Sequence, residues 1–217
     1  MKYVFFLLFS FLLTGCSTTI KLEDMTVKYK IYEKKYKCNK NVYFKLTYPR
    51  IKKAASTFLK DKINEKIEYH KLKNVFDESS ENSIKEVKSK FFDTYARCNY
   101  LRVPGSKWFY ERDIDIFINE SIVTLVVTEN IYTGGIFPIF TKSYININKN
   151  TGEATSLDDI IIRDKMNDFI KFASQRFVEK RNISDILNLK DTEFFDRNGM
   201  FKLNNNFIMD KNGLSIY

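Results

Sequence analysis

Residues 108–127 read Trp-Phe-Tyr-Glu-Arg-Asp-Ile-Asp-Ile-Phe-Ile-Asn-Glu-Ser-Ile-Val-Thr-Leu-Val-Val. From Trp108 to Asn119 the chain alternates through Ile114, Ile116 and Ile118, the period of a half-buried strand. Ile122 to Val127 is a run rich in β-branched residues, which also favours a strand. Asn119-Glu120 sits between them as a turn, so the two segments pair antiparallel as a hairpin. A third strand, 140–148, follows Gly134-Gly135, and Asn150-Thr151-Gly152 turns the chain again. Leu157-Asp158-Asp159-Ile160-Ile161 then leads into a helix over 164–181, with Phe169, Ile170, Ala173 and Phe177 on one face. Short apolar segments at 201–203, 207–209 and 214–217 end the chain.

Upstream, 26–37 and 41–48 alternate in the same way, with Val42, Phe44 and Leu46 on one face. Cys38-Asn39-Lys40-Asn41 joins them as a hairpin turn, and Pro49, without an N–H, is expected to end the pairing. Residues 52–75 read as a helix in which Ala55, Leu59, Ile63, Ile67 and Lys71 form an i+4 line. His70 flanks that line, a place on the helix surface or edge. A second helix, 84–95, carries Val87, Phe91, Phe92 and Tyr95 at helical spacing. Pro104-Gly105 breaks the chain into an N-terminal basic α+β subdomain, 16–103, and a C-terminal α+β subdomain, 104–217. The fold class is α+β: antiparallel sheets packed with helices on one face, in two packed subdomains.

The 217-residue chain is 44% hydrophobic and 29% charged, with seven Gly and three Pro, the composition of a globular protein. Its single His excludes chemistry that needs two imidazoles, including HExxH zinc sites. The net charge of +9 is uneven. Sixteen Lys/Arg stand against six Asp/Glu from Lys21 to Lys73, and nineteen against twenty-one from Asn74 to Tyr217. A basic N-terminal third fits an anionic surface such as lipid, lipopolysaccharide or peptidoglycan carboxylates; a solvated face in a lysine-rich chain explains it equally well.

Residues 1–16 place Lys2 before an apolar run from Tyr3 to Leu13, too short to span a bilayer and matched to a secretory signal. The segment ends Leu13-Thr14-Gly15-Cys16, which resembles the lipobox of bacterial lipoproteins. That resemblance implies a signal peptide over 1–15, acylation of Cys16, and a soluble domain tethered to the lipid bilayer of the cell envelope. Ser17 after the Cys points to the outer membrane in a two-membrane host. Export makes nucleic acid a poor partner despite the basicity. Cys38 and Cys98 remain, and an even pair in an oxidising compartment reads as a disulfide. It would close a loop of about 60 residues, worth roughly 4 kcal/mol in the chain-entropy model. Two buried free thiols are the alternative.

Two stretches resemble the PdaC/RsiV-like exported domains, a DUF4163 segment followed by DUF3298. Tyr48-Pro49-Arg50-Ile51 and the helix carrying Ile63-Asn64 are similar to the first half. Ile131-Tyr132-Thr133-Gly134-Gly135, residues 146–152 and Ser156-Leu157-Asp158-Asp159-Ile160 are similar to the second, as are Phe207 and residues 212–217. The chain departs from the family in two places. Ile136-Phe137 stand where the family usually has Ala-His, and the family continues past the strand at which this chain stops. The end at Tyr217 therefore reads as a short variant or a truncated product, with an uncovered sheet edge as its liability. The resemblance implies binding in the cell envelope, to a protein such as lysozyme or to cell-wall glycan, with no catalytic residue, metal or cofactor in the module. A structural lipoprotein bridging membrane and anionic wall is the alternative. A peptidoglycan-modifying hydrolase or deacetylase accessory is a second one, set back by the missing paired histidines.

The candidate partner-binding residues are Tyr132, Thr133, Gly134 and Gly135, with Trp108 and Tyr110, which stand in the cluster Trp108-Phe109-Tyr110 with Arg112 that is able to stack on sugar rings. Each has a plainer explanation. Glycine at a tight connection permits positive φ, and an aromatic cluster in a strand is commonly core. Asp158, Asp159, Asp164 and Asp168 lack the spacing of a calcium loop and suit the start of a helix.

Overall fold

The hairpin read from 108–127 is a central part of a larger sheet. The computed structural model describes residues 18–22, 24–36, 39–73, 83–97, 107–183, 194–210 and 213–217. Among these, the strands are β1 (Thr19–Leu22), β2 (Met25–Tyr36), β3 (Asn39–Lys53), β4 (Trp108–Ile118), β5 (Ile122–Tyr132), β6 (Ile139–Asn148), β7 (Phe207–Asp210) and β8 (Gly213–Ile216). The helices are α1 (Thr57–Leu72), α2 (Ile84–Arg97), α3 (Leu157–Ile160) and α4 (Met166–Arg181), the last entered through a 3-10 turn at Arg163–Lys165. Strands β1 to β6 form one sheet in sequence order, and β7 and β8 form a separate two-stranded sheet.

The α+β class holds, with one refinement. Every neighbouring pair in the large sheet is antiparallel except β3 and β4, which run parallel from Val42↔Trp108 to Thr47↔Asp113. A parallel pair needs a crossover, and α1 and α2 supply it. The division expected near residue 103 falls inside this crossover, so both halves of the chain contribute to one continuous sheet.

Alternate residues of β3 and β4 face the two crossover helices. Val42, Phe44, Leu46, Trp108 and Tyr110 pack against Val87, Phe91 and Tyr95, which recur every four residues along α2. Further along, Ile114 and Ile116 of β4 join Val123, Leu125 and Val127 of β5 against Leu59, Ile63 and Ile67 of α1. A buried side chain of this size is worth about 2 kcal/mol, so these two clusters hold the crossover to the sheet.

Pro49 does not end its strand. β3 runs on to Lys53 and stays paired with β2, Tyr29 lying opposite Pro49. Its ladder with β4 stops at Thr47, so the edge is open there and a missing N–H breaks no bond on that side. Beyond this point the inward face changes from Val42, Phe44 and Leu46 to Pro49 and Ile51. The longer strand delays α1, which begins at Thr57 rather than near Lys52 and is capped by Ser56 Oγ accepting from Leu59 N at 3.1 Å.

Asparagines attach the C-terminal segment to the sheet. Asn146 Nδ2 donates to Phe207 O at 2.9 Å, Asn206 accepts from Tyr144 N at 2.8 Å, and Asn205 accepts from Leu157 N at 3.0 Å. Phe207 is fully buried beneath them. Helix α4 keeps its expected stripe half-buried, with Phe177 against Phe194, Phe195 and Phe201. It ends at Asn182, whose φ of 51° closes the helix through bonds from Asn182 N to Glu179 O and Ile183 N to Val178 O. Cys16, Cys38, Cys98 and Pro104-Gly105 lie outside the described residues. No described helix is long and apolar enough to cross a membrane.

Candidate functional site

The β5–β6 connection carries the residues singled out in the sequence, and it separates them into two groups. Trp108 and Tyr110 belong to the core. They are 8% and 0% exposed and face α2, Trp108 packing on Tyr95 and Tyr110 on Phe44. Neither ring is offered to a partner, because even-numbered positions of β4 point at the helices. Trp108 Nε1 is buried without a hydrogen-bond partner among the described residues. Burial pushes the Tyr110 phenol far above its ordinary range, Arg112 opposing the shift and Glu129 adding to it.

Tyr132, Thr133, Gly134 and Gly135 lie at the end of β5, where the chain leaves the sheet. Gly134 has φ of 85°, and a Cβ there would sit 3.3 Å from Trp108 Cζ3. Glycine is needed at this position for both reasons. Gly135 has neither constraint: its nearest neighbour would be Phe137 O at 3.8 Å.

On the sheet face opposite the helices, register brings Tyr43, Phe109 and Tyr132 side by side across β3, β4 and β5. Tyr43 and Phe109 stack with centroids 5.6 Å apart, and Phe109 and Tyr132 are tilted at 5.9 Å. Glu111 lies next along β4 on the same face, accepting from Tyr43 Oη and from Asn130 Nδ2 at 3.0 Å each. Burial, then the hydrogen bond and the charge of Glu111, push the Tyr43 phenol up to about 12. Phe109 is 9% exposed, so Tyr43 and Tyr132 on either side of it are the rings that a sugar can reach, with Glu111 and Asn130 at their edge. Sequence reading missed Tyr43; Phe109 was legible only as a member of the Trp108-Phe109-Tyr110 cluster. Parallel register between distant strands has no local signal, so nothing in residues 39–48 announces the neighbour at 109.

The tip that follows is the other feature missed. Ile136, Phe137, Ile139 and Phe140 are 89%, 79%, 60% and 65% exposed. Four large apolar side chains in five residues around Pro138 were visible in the sequence, but the strand expected from Phe140 gave no sign that both faces would meet water.

The titratable residues weighed earlier have structural uses. Asp159 closes a capping box with Ser156, and the Ser156 N–H bond holds its carboxyl below the usual carboxylate range. Asp168 pairs with Lys165 at 3.6 Å. His70 is driven down to about 4, first by burial and then by the positive charge of Arg112. No group of three or more metal-ligating side chains occurs among the described residues.

No family model and no curated protein matches this sequence. The fold does match solved structures. One is a DUF3298 family protein from Pseudomonas aeruginosa PAO1, with a TM-score of 0.61 at 12% identity, covering 94% of this chain and 82% of that one. Another is a member of the DUF3298 family from Bacteroides fragilis NCTC 9343, with a TM-score of 0.61 at 14% identity, covering 94% and 83%. At such identities the likeness is one of fold, and it agrees with the DUF3298 resemblance of the second half of the chain.

Proposed function

We propose that the protein is a non-catalytic lipoprotein of the cell envelope, tethered through Cys16 and binding an envelope partner on the sheet face that carries Tyr43, Phe109 and Tyr132. The two half-buried rings of Tyr43 and Tyr132, flanking the buried Phe109 beside Glu111 and Asn130, are the observation that carries the reading. Cell-wall glycan is the partner it fits best, because stacked rings bordered by hydrogen-bonding groups suit a sugar. A c-type lysozyme fits less well: these enzymes are cationic, and the excess basicity of residues 21–73 repels them at long range.

Two experiments test the two halves of the proposal. Metabolic labelling with a fatty-acid analogue should tag the wild-type chain and not Cys16→Ser; an untagged wild type ends the lipoprotein reading. Affinity for purified peptidoglycan, read by co-sedimentation, should fall by roughly five- to a hundredfold in Tyr43→Ala/Tyr132→Ala, given roughly 0.5–1.5 kcal/mol per aromatic contact beyond its area. Unchanged sedimentation would remove the aromatic row, and tight binding of lysozyme instead would make the protein a lysozyme receptor.

A further inference from the structure

The β5–β6 tip has a second property that the aromatic row does not explain. Ile136, Phe137, Ile139 and Phe140 all face water where the chain turns from β5 into β6. Isolated exposed apolar residues are ordinary, but four in five residues on a hairpin tip are not. The turns at the opposite end of the sheet, 119–121 and 149–152, hold no large apolar residue.

Exposed lysines stand at the same end of the sheet as the tip. Exposed Lys107 directly precedes Trp108, the residue against which Gly134 packs. Lys142 follows Phe140 by two positions on β6, and Lys34 of β2 lies opposite Phe44, at the same end of the sheet. All three are exposed. An apolar tip on a sheet end with exposed lysines matches an interface whose interior is hydrocarbon and whose surface is anionic.

Tyr29 N donates to Thr18 O, and β1 then runs antiparallel to β2 toward Met25, away from the tip. The N-terminal end of β1 therefore points toward the end of the sheet that carries Ile136–Phe140. From Tyr29 to Lys35, which is level with Tyr132, is about 20 Å at ~3.3 Å per residue. With a signal over 1–15 removed, Cys16 and Ser17 alone precede Thr18, about 7 Å of chain, so the Cys16 tether lies below the level of the tip.

We propose that the β5–β6 tip inserts Ile136, Phe137, Ile139 and Phe140 into the headgroup–acyl boundary of an anionic membrane, with Lys34, Lys107 and Lys142 on its headgroups. The tether belongs to the function proposed above; the tip is an independent contact.

The test uses the full chain with Phe137→Trp, a change at an exposed position, mixed with vesicles of phosphatidylethanolamine and phosphatidylglycerol with brominated acyl chains. Trp108 is the only other tryptophan, and the wild-type chain measures its background. The emission added by the variant should shift to the blue and be quenched by the bromines. Lys107→Gln/Lys142→Gln should weaken vesicle binding by roughly fivefold per charge. Replacing all four apolar residues by Ser should abolish the added binding. Emission at the solvent wavelength without quenching overturns the proposal. A blue shift without quenching also overturns it, and assigns the tip to a protein or a second copy. Fatty-acid labelling of Cys16 reads the tether separately. A tagged chain with an unquenched tip fails this inference alone, and an untagged chain with a quenched tip fails only the lipoprotein reading.

Discussion

Arg112 on β4 stands directly opposite Glu129 on β5, with its Nε 2.8 Å from Glu129 Oε1. The guanidinium is buried, 2% exposed for the residue, between the two apolar clusters. Its Nη1 donates to the carbonyls of His70 at 2.5 Å and Lys73 at 2.8 Å, at the end of α1. One cation thus neutralises a carboxylate on the sheet and satisfies carbonyls that a helix end leaves without intrahelical partners.

Removing Arg112 alone should therefore be severe. Arg112→Ala strands Glu129 and at least two carbonyls, and should destabilise the fold by about 3–5 kcal/mol. Arg112→Met/Glu129→Leu removes both charges together and should cost measurably less than Arg112→Ala. Urea denaturation of the three proteins checks the order; equal losses would mean that the carbonyl contacts, and not the ion pair, dominate.

Asn64 plays a related part where β3 leaves β4. Its Oδ1 accepts from Ile51 N at 2.9 Å and its Nδ2 donates to Ile51 O at 3.0 Å. A side chain on α1 thereby stands in for the missing strand. Asn64→Ala leaves both backbone groups of a residue that is 2% exposed, and should cost about 2–4 kcal/mol. Amide exchange at Ile51 should accelerate along with it, whereas exchange at Leu46, inside the parallel ladder, should follow only the global loss.

The pH dependence of stability should carry the signature of His70. Its folded pKa, about 4, lies below the ordinary 6.5 because burial and Arg112 disfavour the cation. Above pH 6.5 the residue is neutral in both states and contributes no slope. Between pH 6.5 and 4 the unfolded chain takes up a proton that the folded one refuses, so stability falls as pH falls, by roughly 2 kcal/mol after allowance for partial exposure. His70→Gln should flatten that segment of the curve. A wild-type stability that is level from pH 6.5 to 4.5 would contradict the burial of this imidazole.

Local pattern carried much of the fold. The i+4 line of Leu59, Ile63 and Ile67 and the alternation of Ile114 and Ile116 each report a face that meets a core, so the helices and the β4–β5 hairpin were legible. What escaped was set by partners distant in sequence. Pro49 was expected to end its strand, yet that depends on whether a neighbour needs its N–H, and β4 had already parted from β3. Trp108 and Tyr110 were placed among the binding residues because aromatics in a strand look alike on either face. Only the parallel register with Val42 and Phe44 puts them under α2 and leaves Phe109 on the other side. The exposure of Ile136 and Phe137 followed from no rule of periodicity, since a tip that serves a surface outside the chain breaks the pattern that folding alone would select.

Gly134 and Gly135 give the sharpest contrast between adjacent residues. At Gly134, φ of 85° disfavours any L side chain, and a Cβ would also press on Trp108 at 3.3 Å. Gly134→Ala should cost about 1–3 kcal/mol and alter the near-ultraviolet circular dichroism of the single tryptophan. Gly135 lacks both constraints, so Gly135→Ala should be within about 0.5 kcal/mol of wild type, with the tryptophan signal unchanged. If the two variants lose the same stability, the Gly-Gly pair acts through its flexibility as a unit. A loss confined to Gly134 ties the geometry of the exposed tip to the packing of Trp108 beneath it, and makes the core of α2 the support on which Ile136–Phe140 is held out.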